Sequence, residues 1–309
     1  MKKIYPVILL IVLSITANAQ TGYHIITSDV DHFWKAYDLL QTVHTKTDSV
    51  AIIQQNYIDI GSTGLQEFIR LKTITAENYV ASFGRRPKFW KSVRPSLSRV
   101  SQYKNSIDTI FSHYQKILPD FHAPDVCFVV GYLTSAGTAT DKFLIIGSEI
   151  AAADSTVERS ELKGYIKEVI GTMEIPSIVA HELIHTQQNP ADSATLLSSV
   201  IEEGAADFIP LILSSFNINV KVHAYGATHQ CELWQQFKTD LSTNNYAPWL
   251  YNGATIKGKP ADLGYYIGSK ICEAYYDKQK DKQQALRDIL KSRQYEKILL
   301  ESRYNGGCQ

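Results

Sequence analysis

Two histidines and a glutamate stand at a spacing that suits metal chemistry. They form the sequence His181-Glu182-x-x-His185. Residues four apart share one face of a helix, so both imidazoles can bind a single Zn²⁺ ion. Glu182 is placed to take a proton from a zinc-activated water and pass it to a leaving group. The pattern therefore predicts a zinc-dependent hydrolase with Glu182 as general base.

A catalytic zinc site needs a third protein ligand and one position left open for water. Glu203 follows His185 by 18 positions, on a segment that the pattern predicts to be the next helix. Asp207 lies one turn beyond Glu203, where it can accept a hydrogen bond from the outer nitrogen of a ligand imidazole. Glu202 has no acidic residue four positions later, so we expect Glu203 to be the ligand and Asp207 its outer partner.

The elements that must position these residues can be predicted from the surrounding pattern. Pro176 suits the first turn of a helix, and apolar residues at helical spacing follow it. This helix is expected to end near Asn189-Pro190. The next is expected to begin at a cap on Asp192 or Ser193. Gly204 and its neighbouring alanines would let two helices approach closely.

Two segments before the histidines have the composition of strands. Residues 126–130 and 143–146 are apolar and mostly β-branched, and residues 131–140 between them are rich in Gly, Ser, Thr and Ala. This stretch could form an edge along which an extended peptide lies, or it could serve packing alone. Residues 216–260 look mixed and turn-rich. Other helices are predicted near 31–40, 48–58, 64–82, after Pro95, and over 158–170, 262–278 and 281–300.

The region around the histidines is similar to known zinc peptidases. His181-Glu182-x-x-His185 with Glu203-x-x-x-Asp207 resembles the gluzincins, the thermolysin-like zinc metallopeptidases. Together with Gly264-Tyr265-Tyr266-Ile267-Gly268, the wider stretch is similar to an uncharacterised family of predicted bacterial zinc-dependent proteases. It also resembles a gliding-motility lipoprotein family of the Bacteroidetes. The resemblance covers about residues 119–280. We expect an α+β fold, predominantly helical and zincin-like, with a small sheet beside the zinc helix.

The sequence departs from the gluzincin pattern at two points. The gap between His185 and Glu203 is a residue or two shorter than in the best-known members. Residues 171–174 mimic the edge-strand motif of the aminopeptidase branch but end only seven residues before His181, at the helix that carries the two histidines. They cannot form that strand, so no aminopeptidase activity is inferred.

Several other side chains are candidates with plain alternatives. Tyr265 and Tyr266 could donate to the oxyanion of a tetrahedral intermediate, or they could be aromatic residues of the core. His122, His223 and His229 have no metal-ligand spacing, so we interpret them as surface or core histidines.

The composition and the first residues limit the class of protein and indicate its cellular compartment. Lys and Arg total 31, as do Asp and Glu, and this neutrality argues against a nucleic-acid partner. Residues 1–19 combine Lys2 and Lys3, an apolar run and a small-residue site ending at Ala19, as in a secretory signal peptide. An uncleaved anchor is the alternative. No cysteine stands at the cleavage site, which argues against a lipoprotein, and no later segment is long and apolar enough to span a membrane.

We thus expect a signal peptide over 1–19, an N-terminal helical region over 20–118 and a zincin-like metallopeptidase region over 119–309. The predicted protein is an exported zinc metallohydrolase, periplasmic or secreted, foremost a peptidase acting on peptides or proteins. A non-catalytic, metal-stabilised envelope protein for assembly or motility is the alternative. Hydrolysis of another amide or an ester stays open. The four cysteines allow three full pairings or free thiols: Cys127, Cys231, Cys272 and Cys308.

Overall fold

The computed structural model describes residues 22–189, 195–253 and 256–308. The predicted signal peptide and the predicted cap residues Asp192 and Ser193 lie outside them. Within these ranges the α-helices are α1 (Ser28–Leu39), α2 (Lys46–Ile53), α3 (Thr63–Lys72), α4 (Ala76–Arg85), α5 (Pro87–Leu97), α6 (Lys104–Ile117), α7 (Ser148–Ala151), α8 (Gly164–Val169), α9 (Ile175–Gln187), α10 (Leu196–Ser214), α11 (Val220–Thr228), α12 (Gln230–Asp240), α13 (Gly264–Lys278), α14 (Lys282–Lys291) and α15 (Tyr295–Ser302).

A single small sheet accompanies these helices in the described part of the chain. Its strands are β1 (Ile25–Ile26), β2 (Asp125–Val129), β3 (Gly137–Ala139) and β4 (Phe143–Gly147), in the order β1-β2-β4-β3. β2 is parallel to β1 and β4, whereas β3 pairs antiparallel with β4 and forms an edge. The fold is therefore α+β and predominantly helical, as predicted, and both predicted strands are confirmed.

The N-terminal helices pack onto the same sheet. β1 pairs with β2, and an added Cβ at Gly64 of α3 would lie 2.2 Å from Cys127 Sγ. The Tyr57 and Tyr79 hydroxyls both donate to the carbonyl of Val130, just after β2. Residues 22–118 thus share one hydrophobic core with the rest of the described chain.

The helical periodicity of the sequence predicted where most helices lie, but it did not predict all of their first and last residues. The helix predicted over 64–82 divides at Thr73, which has a left-handed backbone conformation, and 281–300 divides after α14. The predicted helix 158–170 is only the short α8. α5 continues through Pro95, and α6 begins only at Lys104. The turn-rich prediction for 216–260 is wrong where α11 and α12 form.

The centre of the molecule is built from α9, α10 and α13. α10 begins at Leu196 with Thr195 as its cap, whose hydroxyl accepts the amide of Ser198, so the predicted cap at 192 or 193 is wrong. An added Cβ at Gly204 would lie 2.1 Å from the carbonyl carbon of Gly268 in α13. The close approach predicted for Gly204 is thereby confirmed.

The structure also pairs the cysteines. Cys231 and Cys308 form a disulfide, while Cys127 and Cys272 are buried free thiols. Across the described ranges, none of the helices combines the length and apolar character that crossing a bilayer demands.

Candidate metal centre

Three ligand atoms converge where α9 and α10 pack together. The Nε2 atoms of His181 and His185 lie 3.2 Å apart. Glu203 Oε2 lies 3.2 Å from His185 Nε2 and 3.7 Å from His181 Nε2. In a tetrahedral zinc site with bonds of about 2.0–2.1 Å, neighbouring ligand atoms are about 3.3 Å apart. The three atoms therefore already outline one face of such a site.

Both imidazoles are oriented by groups at their outer nitrogens. His185 Nδ1 lies 2.8 Å from Gln188 Oε1, and the Gln188 amide donates to the carbonyl of Glu202. That second bond fixes the amide orientation, so Gln188 Oε1 is an acceptor and His185 Nδ1 carries the proton. His181 Nδ1 lies 3.0 Å from Asp207 Oδ1, in close electrostatic contact. Each ring thus turns its Nε2 inward, as a metal ligand must.

The donor set fits a zinc ion. Two imidazole nitrogens and a carboxylate oxygen are donors that Zn²⁺ prefers, and they lie at the separations that a shared ion requires. Within the described residues, His181, His185 and Glu203 are also the group of potential ligands that comes together closely enough to hold a metal. Two histidines and one carboxylate are the protein donors typical of a catalytic zinc site, whereas a structural site is usually closed by four ligands.

Asp207 is the centre of a second layer of contacts. Its buried carboxylate accepts from His223 Nε2 at 2.8 Å and from the Asn219 side-chain amide at 3.0 Å, besides contacting His181. His223 is therefore not the ordinary surface or core histidine that we expected from the sequence. Its role depends on α11, which the sequence analysis did not predict.

Charges inside the site shift its protonation in the metal-free protein. Burial would lower the pKa of His181, but Asp207 and Glu203 outweigh burial and raise it to about 10. Burial would raise the pKa of Glu203, yet the two imidazoles hold it well below its usual range. A cation is thus electrostatically favoured within the triad, and Zn²⁺ would compete with protons for the imidazoles.

Glu182 lies between the triad and the edge of the sheet. Burial raises the pKa of its carboxyl, and the nearby imidazoles partly offset this. β3 passes so close that an added Cβ at Gly137 would lie 2.6 Å from Glu182 Oε1 and 2.9 Å from Ile178 Cγ2. Glycine at 137 therefore permits the edge strand to lie directly against the predicted base.

The tyrosines near the triad occupy different positions. The Tyr265 ring stacks on His181 with ring centroids 6.0 Å apart, so this predicted residue is at the site. The structure does not bring Tyr266 there, because its hydroxyl donates to Gln230 and its ring packs on Gly226. Tyr251, which the sequence analysis did not single out, donates to Glu203 Oε1 at 2.9 Å.

Tyr251 lies at the open side of the site. Its residue is 67% exposed, and its backbone has a φ of 58°, an uncommon conformation for a non-glycine residue. Its phenol binds the oxygen of Glu203 that does not face the histidines. Tyr251 thus reaches from the surface to a predicted metal ligand.

A cavity of about 750 Å³ lies beside the second layer of contacts. Its lining includes Ser177, one turn before His181 on α9, and Asn219, which binds Asp207. Apolar side chains such as Met173, Phe216 and Ile218 line it as well. The cavity meets the second layer through Asn219, whereas His181, His185 and Glu203 are not among its lining residues.

Most of the contacts that the sequence did not predict join residues 12 or more positions apart, and the exception is the contact of Gln188 with His185. His223, Asn219 and Tyr251 come from the segment that looked turn-rich, and Gln188 falls just after α9. The spacing of Val222 and Gly226, four residues apart and both buried, was the available signal for α11. Nothing in the sequence marked Tyr251.

Two protein families match the chain. The profile described as "Gliding motility protein GldB" matches residues 23–216, well over half of the sequence. The chain belongs to the GldB family. A second profile, described as "Predicted Zn-dependent protease", matches residues 162–293 of this GldB-family chain. The two matches overlap over the segment that holds His181, His185 and Glu203. Comparison with curated proteins and with solved structures gives no match.

Proposed function

We propose that this protein is a zinc-dependent peptidase whose metal is held by His181, His185 and Glu203. The supporting observation is the pair of inward-facing Nε2 atoms 3.2 Å apart, completed by Glu203 Oε2 and left open on one side. The match to a predicted Zn-dependent protease family adds support for hydrolase chemistry. The short helix-to-helix connection and Asp207 favour the gluzincin type within that class.

When bound, Zn²⁺ would polarise the scissile carbonyl and lower the pKa of water in the open position. Glu182 accepts one proton from the attacking water as its oxygen bonds to the carbonyl carbon. Glu182 then donates that proton to the amide nitrogen as the carbon–nitrogen bond breaks. The products are a carboxylic acid and an amine. Asp207 and Gln188 keep the two imidazoles in the ligating tautomer throughout.

The edge strand offers a place for the substrate backbone. The Thr140 amide donates to β4, and the Ala136 carbonyl accepts from it. In an antiparallel pair, successive residues of a strand direct their backbone groups alternately towards and away from the neighbouring strand. Gly137 and Ala139 therefore direct their backbone groups away from β4, towards the open edge. We infer that an extended peptide pairs with this edge beside Glu182, which is the β-addition alternative from the sequence.

Two phenols can serve the developing oxyanion. Tyr251 and Tyr265 both lie next to Glu203, and burial raises the pKa of each, so both keep their protons at neutral pH. Tyr251 stands on the open side and is the better placed donor. Tyr265 is the donor predicted from sequence, and its stacking on His181 also gives it a packing role.

The alternative function is a non-catalytic envelope protein that takes part in gliding motility. Membership of the GldB family supports it. The retained base and the open coordination position argue against it, because a structural zinc site is usually closed by four ligands. We propose export for either function, from the expected signal peptide over 1–19.

A chelator experiment separates the two functions. The purified mature chain is incubated with a proteome-derived peptide mixture, as isolated, after removal of metal, and after zinc is added back. A peptidase produces new peptide termini that disappear without metal and return with zinc. If the zinc-loaded chain produces no new termini, peptidase activity is excluded, and binding to envelope proteins becomes the property to test.

A further inference from the structure

Glu149 is a buried carboxylate away from the metal centre. It lies on α7, directly after β4, and is fully shielded from solvent. One of its oxygens accepts the amide of Gly131 at 2.8 Å, and the other accepts the amide of Leu133 at 2.9 Å. Among the described residues no cation pairs with it. These two backbone N–H groups, together with the amide of Glu149 itself, compensate for its burial.

These bonds hold a loop that would not keep its shape alone. Leu133 has a φ of 76°, in a region that a leucine backbone adopts only when its surroundings impose it. An added Cβ at Gly131 would lie 2.7 Å from Glu149 Oε1, so the loop backbone is pressed against the carboxylate. Glu149 thus fixes the chain where it leaves β2.

The loop leads directly to the edge strand. The Ser135 hydroxyl donates to the carbonyl of Gly137, and the Gly147 amide donates to the carbonyl of Ala136. Gly137 in turn packs against Glu182. A change at residues 131–133 would therefore be passed along a few residues to the place where β3 meets the predicted base.

We propose that Glu149 is a positioning residue, which holds the 131–136 loop so that β3 lies in register beside Glu182 and can pair with a substrate peptide. This inference rests on the proposed peptidase function for its substrate. In its ionised form Glu149 uses both carboxylate oxygens as acceptors, which an amide at this position cannot do. A glutamine would place an N–H donor against one of the two backbone donors.

The test compares Glu149→Gln with wild type and with Glu296→Gln, a change at an exposed glutamate on α15. Amide hydrogen exchange is measured on the zinc-loaded chains. We expect exchange at Gly131, Leu133 and β3 to accelerate at least ~10-fold in Glu149→Gln, with α9 unchanged. For a peptide long enough to span the edge, we expect KM to rise at least ~5-fold while kcat changes less than ~2-fold. Glu296→Gln should match wild type.

Other outcomes overturn the proposal. Unchanged exchange at β3 would show that Glu149 does not hold the edge. A fall in kcat as large as the rise in KM would indicate general destabilisation. If Glu149→Gln does not fold, Glu149→Asp, which keeps the charge and both oxygens, should show the same exchange pattern to a smaller degree. If the exchange rate at β3 in Glu149→Asp equals that of wild type, the proposal fails. Should wild type cleave no peptide, the proposed function fails, while exchange still decides whether Glu149 positions β3.

Discussion

At the scale of single residues, the site is defined by which atom each side chain turns inward. His181 and His185 present Nε2 because Asp207 and Gln188 occupy their Nδ1 atoms. Glu203 divides its two oxygens between the histidines and Tyr251. The ligand role of each group therefore depends on a contact one layer further out.

The assignment of Glu203 can be tested against its neighbour in sequence. Glu202 is directed elsewhere, since its carboxylate accepts the Tyr295 hydroxyl at 2.6 Å. We expect Glu203→Ala to weaken zinc binding by more than ~100-fold, as measured by competition with a chelator, because a ligand is lost. Glu202→Ala should bind zinc as wild type does. Equal zinc affinity in both variants would refute the assignment.

His223 provides a second comparison. It donates to Asp207, whereas His229 stacks on Tyr225 outside the site. We expect His223→Ala to lower zinc affinity about 10-fold, since Asp207 loses one of the groups that orient it. His229→Ala should leave the affinity unchanged. Zinc titration measures the affinity of both variants. An unchanged zinc affinity in His223→Ala would show that His223 serves packing alone.

The convergence of the proposed ligands could be predicted from sequence, whereas the contacts that orient them could not. Positions 181, 182, 185, 203 and 207 obey helical spacing within two adjacent helices, so local periodicity was enough to bring them together. Tyr251 and His223 reach the site through tertiary packing of a separate segment. Tyr266 was predicted at the site but does not reach it. Its neighbour Tyr265 faces His181, whereas helical geometry turns Tyr266 towards Gln230.

At the scale of elements, the spacing of α10 from α13 determines where Glu203 lies. The two helices cross at Gly204 and Gly268, where their backbones meet. Gly204 immediately follows Glu203 in the chain. Small residues at both positions thus place a ligand-bearing helix against its support, a role that the Gly and Ala content suggested before the structure.

Glycine substitutions test this crossing. A methyl group at 204 would meet the α13 backbone, which cannot move aside, so we expect Gly204→Ala to lower the free energy of unfolding by roughly 2–3 kcal/mol. Gly84, on α4, has open space around it, and Gly84→Ala should raise that free energy by up to about 1 kcal/mol. Chemical denaturation measures both. A neutral Gly204→Ala would contradict the close packing.

At the scale of the whole molecule, a single core joins the N-terminal helices to the metal centre. Composition indicated only a neutral globular protein, and periodicity indicated a helical first third. The pairing of β1 with β2 and the contacts of Tyr57 and Tyr79 could not be predicted, because two-residue strands and long-range hydrogen bonds leave no local pattern.

The buried Glu149 makes the stability of this core depend on pH. Burial raises the pKa of Glu149 from 4.5 to about 7, although the amides of Gly131 and Leu133 partly oppose this. The folded chain therefore holds the proton more tightly than the unfolded chain. Glu149 therefore contributes most to the free energy of unfolding below pH 4.5. About 3 kcal/mol of that contribution is lost as the pH rises to 7.

Comparison with Glu149→Gln isolates this effect. The free energy of unfolding of wild type, minus that of the variant, should fall by this amount between pH 4.5 and pH 7. Tyr57 and Tyr79, the titratable groups that face Glu149 from the N-terminal helices, stay protonated throughout because burial raises the pKa of both. A difference that does not vary with pH would show that Glu149 titrates alike in both states.

The central claim is that this chain hydrolyses peptides at a zinc ion with Glu182 as the base. The most direct test is the peptide cleavage rate of zinc-loaded Glu182→Gln against zinc-loaded wild type, with zinc content measured in both samples. We predict one zinc ion per chain in each and a rate at least ~100-fold lower in the variant. Equal cleavage rates at equal zinc content would contradict the account.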